Sequence, residues 1–156
     1  MTSDEIQQTV ALLDTTSSLK EETAWSQLRP LGADVVPFLR DFLPRCRSWQ
    51  GRTALVFHSI RFARTSSDAF DLGVRALLDR SYMVRYRACG LLAYSLRRDA
   101  LGALKELLKH RDPRTVEDAT AAISAIENQN HHLFVDRDGS GRTKWVVDGG
   151  DNDASG

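Results

Sequence analysis

Arginine is the residue type in this chain best placed to do chemistry. Segments 51–64 and 81–98 carry Arg52, Arg61 and Arg64 in the first and Arg85, Arg87, Arg97 and Arg98 in the second, with no Asp or Glu in either. A guanidinium is planar, permanently charged and rich in N–H donors, a geometry that matches carboxylate or phosphate. The chemistry on offer is recognition of an anion rather than proton transfer or nucleophilic attack. Trp49, Tyr82 and Tyr86 lie beside these arginines in sequence and are candidate aromatic anchors, although packing between helices is the commoner use of such side chains. Arg97 and Arg98 fall at a helix end, where a cation complements the helix dipole.

Other chemistries find less support. Cys46 and Cys89 are the only cysteines and show no metal-ligand spacing, so buried free thiols are expected. No GxSxG, P-loop or HExxH sequence occurs. Asp136, Asp138, Ser140 and Gly141 match the first half of a calcium-binding EF-hand loop, but Val147 stands where that loop needs a bidentate Glu. A simple turn is therefore expected there. His131-His132 has no Cys, His or carboxylate constellation around it and reads as a polar linker. The expectation is no metal, no cofactor and no catalysis.

The elements that must hold these residues repeat along the chain. Amphipathic helices begin near Gly51, Val84 and Val116, 33 and then 32 residues apart, and shorter apolar-periodic helices lie between them. Such a period marks a stacked helical array in which each unit buries its apolar face against its neighbours. Thr2 with Glu5, and Ser18 with Glu21, are spaced as capping boxes opening the first two helices. Val35, Phe38, Leu39 and Phe42 form one face of a third, and Pro37 sits in its first turn. Ser66 or Ser67, Asp99 and Asp112-Pro113 are caps for later ones, giving eight helices with short connections.

After residue 130 the pattern changes. HLFVDRDGSGRTKWVV places two short apolar, β-branched runs around a glycine-rich turn, which predicts a β-hairpin over 131–147. Phe134, Trp145 and Val147 would form its apolar side and seal the open end of the stack. Residues 148–156, acidic and glycine-rich, are expected to be a disordered tail. The organisation is then a helical repeat domain over 1–130, a hairpin cap and a tail.

Net charge is zero, yet the charges are segregated. Residues 1–39 carry two Lys/Arg and six Asp/Glu, residues 40–114 sixteen and seven, and residues 115–156 three and eight. In a linear stack, sequence order approximates spatial order, so a basic centre between acidic ends is expected. No apolar run is long enough to span a bilayer, and the acidic, polar start MTSDEIQQ does not look like a targeting segment. A cytoplasmic monomer or weak oligomer is expected.

The phrases LGADVVPFLRDFL, DRSYMVRYRACGLLAYSL and DPRTVEDATAAISAI resemble the HEAT-repeat family, including its short bacterial relatives, over about residues 20–128. Asp79, Val84, Arg85 and Ala88 carry the aspartate, Val-Arg and alanine phrase, while Glu117 stands where arginine would be expected. The resemblance implies an all-α, right-handed α-solenoid of stacked antiparallel helix pairs, with the helices near 51–64, 81–98 and 114–127 lining its concave face. It also implies a structural use for Arg85, pairing with a loop aspartate such as Asp79, and by extension for Arg52. Arg61, Arg64 and Arg87 remain as candidate partner-binding residues, with Tyr86 and Trp49 as aromatic companions.

The function expected is a non-enzymatic protein-binding module, an adaptor or an immunity-type inhibitor, whose basic concave face holds an acidic protein. The alternative is a nucleic-acid-binding protein with the architecture of the HEAT-like DNA-repair glycosylases. Zero net charge and acidic flanks weigh against nucleic acid, and the two basic helices lack the carboxylate that glycosylase chemistry uses.

Overall fold

A computed structural model describes residues 1–149, and these are built from helices: α1 Ser3–Ala11, α2 Ser18–Leu28, α3 Val36–Phe42, α4 Trp49–Ser59, α5 Ser67–Ala76, α6 Tyr82–Ser95, α7 Leu101–Leu107 and α8 Pro113–Glu127. Short 3₁₀ turns extend several of them, including Arg29–Val35 after α2, Ile60–Phe62 after α4 and His131–Phe134 after α8. No strand occurs among the described residues. No helix among them is long and apolar enough to cross a membrane.

Local chemistry sets the helix starts. The Thr2 hydroxyl accepts the Glu5 N–H and the Glu5 carboxylate accepts the Thr2 N–H, closing the expected capping box. Ser48, Ser66 and Asp112 cap α4, α5 and α8 by accepting N–H groups of Gly51, Ala69 and Arg114. Two expected caps shift. Ser17, not Ser18, caps α2 by accepting the Lys20 N–H, which frees Glu21 to reach His58. Asp99 does not cap α7, because its carboxylate is drawn to Arg97. The turn after α2 is completed by Gly32 at φ 59°, a left-handed conformation that disfavours any side chain.

Each helix packs on near neighbours in the chain. One row runs α1, α3, α5 and a second α4, α6, α8; the rows meet through α3 with α4, α4 with α5 and α5 with α6, while α2 packs on α1 and α7 on α8. Leu13, Leu28, Leu39, Leu55, Leu72, Leu91, Leu92, Leu104 and Ile126 are excluded from solvent in one core. Fully burying such a side chain contributes on the order of 2 kcal/mol each, so this core is a main source of stability.

A ladder of charged groups fixes the spacing along the second row. The Asp14 carboxylate accepts the N–H groups of Arg47 and Ser48 and the Ser48 hydroxyl, at 2.9, 2.9 and 2.7 Å. Arg52 grips Asp79 with two donors, Nε at 2.7 Å and Nη2 at 3.1 Å, and its Nη1 donates to the Arg47 carbonyl at 2.8 Å. Arg85 repeats the arrangement one unit on: Nη1 donates to the Asp79 carbonyl at 2.9 Å, Nη2 to Asp112 at 3.3 Å and Nε to Thr115 at 2.9 Å. The Arg85 carboxylate partner is thus Asp112 of the following loop, while Asp79 serves Arg52. Glu117, at the next arginine position, ends the ladder.

The expected β-hairpin over 131–147 is absent. Its place is taken by the 3₁₀ turn His131–Phe134 and an irregular return. The reason lies in the partners that the backbone finds. The Trp145 N–H donates to His132 Nδ1 at 2.9 Å, and the Trp145 carbonyl is bonded to His131 Nε2 at 2.8 Å. Two imidazoles thus satisfy groups that a strand would have offered to a ladder, and the histidine pair is a clamp rather than a linker. In the turn, Asp136 accepts the Ser140 hydroxyl at 2.8 Å and the Gly141 N–H at 2.7 Å. Those bonds hold its carboxyl below the usual carboxylate range. Phe134 and Val147 are buried and Trp145 half-buried, as the apolar-side reading requires. They lie across α6, where Phe134 and Trp145 close on Gly90, rather than over the end of the stack alone. Of the acidic stretch 148–156, Asp148 and Gly149 form a turn and 150–156 lie outside the described residues.

Candidate anion-binding cleft

The arginines of 51–64 and 81–98 separate into two groups by what they touch. Arg52 and Arg85 are 6% exposed and spent on the ladder. Arg97 pairs with Asp99 at 2.6 Å and covers the Phe70 ring. Arg64 is also structural: Nε donates to the Tyr94 carbonyl at 2.8 Å, Nη2 to His131 Nδ1 at 3.0 Å, and the guanidinium lies 4.0 Å from the Tyr94 ring centroid. With Nδ1 accepting, His131 carries its proton on Nε2 and donates it to Trp145. Arg64 therefore braces the clamp.

Arg98 is exposed at the start of the 3₁₀ turn Arg98–Ala100. Arg61 and Arg87 remain, and they line one cleft. It encloses about 670 Å³ between α2, α4, α6 and the segment Trp145–Gly149, with Trp25, Arg29, Phe57 and His58 completing the wall. The Nε atoms of Arg61 and Arg87 are buried and, among the described residues, have no hydrogen-bond partner. A buried donor left unmade costs on the order of 1–3 kcal/mol, so both side chains carry an unmet hydrogen-bonding demand beside the cleft. Burial first, and the Arg29 charge second, hold Arg61 below its ordinary value against the pull of Asp148. Asp148 is the one carboxylate among the described lining residues.

Aromatic rings set the guanidinium orientations. Arg61 lies 4.6 Å from the Phe62 centroid, and Arg87 lies 4.9 Å from Phe57 and 5.5 Å from Tyr86. Phe57 is 49% exposed, so the Arg87 pair forms a ridge open to solvent. Past that ridge a shallower hollow of about 280 Å³ continues along Thr15–Ser18, Gln50 and Thr53, sharing Phe57 and Arg87. The two together make one groove. Its floor is His58, stacked on Trp25 at 3.9 Å and bonded to Glu21. Burial lowers the His58 value, and the Glu21 contact only partly opposes it, so near neutral pH the ring is uncharged.

Of the five residues singled out from sequence, the cleft contains Arg61 and Arg87. Tyr86 stands behind Arg87, packed on Phe134 at 5.7 Å. Trp49 begins α4 and is not a lining residue. Arg29, Trp25 and His58 have no sequence signal for this site, and Trp145 is legible only as a capping residue, because α2, α4 and the return after α8 meet only through the fold.

A second hollow of about 720 Å³ runs along α8 past Val116, Thr120 and Ser124. Its arginine, Arg137, is already paired with the buried Asp118 at 2.9 Å, so it offers no free cation. The cysteines hold no reactive thiolate: burial, aided by Asp14, pushes Cys46 up to about 12, and burial raises Cys89 as well. No protein-family model, curated protein or solved structure matches the chain.

Proposed function

We propose that this chain is a short HEAT-like array, a right-handed solenoid of helix pairs, that works as a non-enzymatic protein-binding module. The groove between α2, α4 and α6 is its concave face and holds an acidic segment of a partner protein, in the manner of an adaptor or an immunity-type inhibitor. One observation carries this reading: Arg61 and Arg87 present buried Nε donors without partners in a cleft that Arg29 makes more positive. The ladder arginines supply the internal contrast, since every arginine needed for architecture already has its carboxylate or carbonyl. Support for the array comes from the pairing of each helix with near neighbours and from the ladder's repetition at Arg52 and Arg85.

Acidic protein is favoured over nucleic acid because the basic groups converge in a cleft instead of spreading along a stripe that tracks phosphates. Anisotropy titrations with labelled oligoglutamate and labelled duplex DNA, at about 50 and about 200 mM salt, separate the two. Oligoglutamate should bind, and Arg61→Glu or Arg87→Glu should weaken it roughly tenfold or more, in line with reversal of a desolvated charge contact. Tighter binding of the duplex, falling steeply with salt, would transfer the groove to the nucleic-acid reading.

A further inference from the structure

The groove already has an occupant along one wall, and it belongs to this chain. Downstream of the clamp at Trp145, residues Val146–Gly149 run past Arg61 with Val147 buried at 7% exposure and Val146 left 69% exposed. Gly149 rests directly on the guanidinium: a Cβ added there would stand 2.9 Å from Arg61 Nη1 and 3.3 Å from Cζ. Gly149 also has φ +67°, so the backbone lies against the cation in a conformation that disfavours any side chain. Asp148 brings a carboxylate into the cleft, yet the Nε atoms of Arg61 and Arg87 stay without partners. The segment has the right charge and the right lane but leaves the best donors unfilled.

We infer that Val146–Gly149 is an internal, incomplete ligand of the cleft, and that the external ligand is an extended acidic peptide taking the same lane, an apolar residue on the Val147 seat followed by carboxylates that reach the Nε donors of Arg61 and Arg87. The inference rests on the reading of this groove as an acidic-partner site and adds the ligand's form and its competitor. The His131–His132 grip on Trp145 marks where the exchangeable part begins, because residues before it are fixed by Arg64 and by the Phe134 packing. An external peptide must displace the segment, so the intact chain binds with an affinity reduced by the fraction of time that its own lane is occupied.

The test compares the full chain, a chain ending at Trp145, and full-length Asp148→Asn, which leaves every other residue in place should the shortened chain fold poorly. The probe is a labelled peptide carrying two valines followed by two aspartates, with oligoglutamate alongside. Expected is a gain of about threefold to tenfold for the shortened chain, a smaller gain for Asp148→Asn, and loss of both gains when Arg61→Glu is added. Equal peptide affinity in all three forms, with Arg61→Glu still weakening oligoglutamate, overturns the internal ligand and leaves the groove intact. Absence of binding by either probe to every form overturns the acidic-partner reading itself, and the inference with it.

Discussion

Arg52 and Arg61 lie nine residues apart in one helical segment and do opposite work. The Arg52 side chain is 7% exposed and bidentate on Asp79, and that pair joins successive loops. Removing one partner of a buried pair strands the other, so Asp79→Ala should lower the unfolding free energy by about 3 kcal/mol in urea titration. Lys109→Ala, which touches only the exposed Glu106, should change it by less than about 0.5 kcal/mol. His58 gives the pH dependence. Its value in the folded protein lies below the ordinary 6.5, chiefly from burial, so the unfolded chain binds the proton more tightly. Its contribution is therefore present above pH 6.5 and lost as pH falls below it toward the depressed folded value. Stability measured downward from neutral pH should fall less steeply in His58→Gln than in the parent, and an unchanged slope would remove His58 from that role.

Helix positions were largely readable because they follow from local chemistry. The Thr2–Glu5 box and the Ser66 and Asp112 caps each act within three residues of themselves. The segment after α8 was misread for the opposite reason. Its alternation of apolar residues is real, and Phe134 and Val147 are buried, but alternation does not say what the backbone will bond to. Here His132 and His131 capture Trp145 across 13 and 14 residues, and Arg64 supports His131 across 67. No window of sequence contains those partners together. Likewise Arg61 and Arg64 lie three residues apart at the end of the α4 segment, and only the approach of Tyr94 and His131 distinguishes the brace from the cleft arginine. Arg64→Gln should loosen the whole return after α8 and cost about 1.5–3 kcal/mol, the range for a hydrogen bond from a charged group. Arg61→Gln relieves an unmade buried donor and forfeits only the contact with the Phe62 ring, so the melting temperature should hold or rise. Parallel thermal melts of the two variants check this contrast.

At the scale of the molecule, the neutral total conceals a division of labour among charges. Structural arginines run down one edge of the α4–α6–α8 row as a ladder, while Arg29, Arg61 and Arg87 gather in the groove beside it. A basic centre was expected from the charge distribution, but its focus depends on Arg29 from the acidic first third and on Asp148 from the acidic last third. The central claim is that the Nε groups of Arg61 and Arg87 are donors held ready for an external carboxylate. It is tested most directly by following arginine Nε–Hε signals by NMR while an acidic peptide is added. The signals of Arg61 and Arg87 should shift together and saturate, while those of Arg52 and Arg85, already bonded to Asp79 and Thr115, stay in place. Shifts spread evenly over exposed arginines, with Arg61 and Arg87 unmoved, would contradict it.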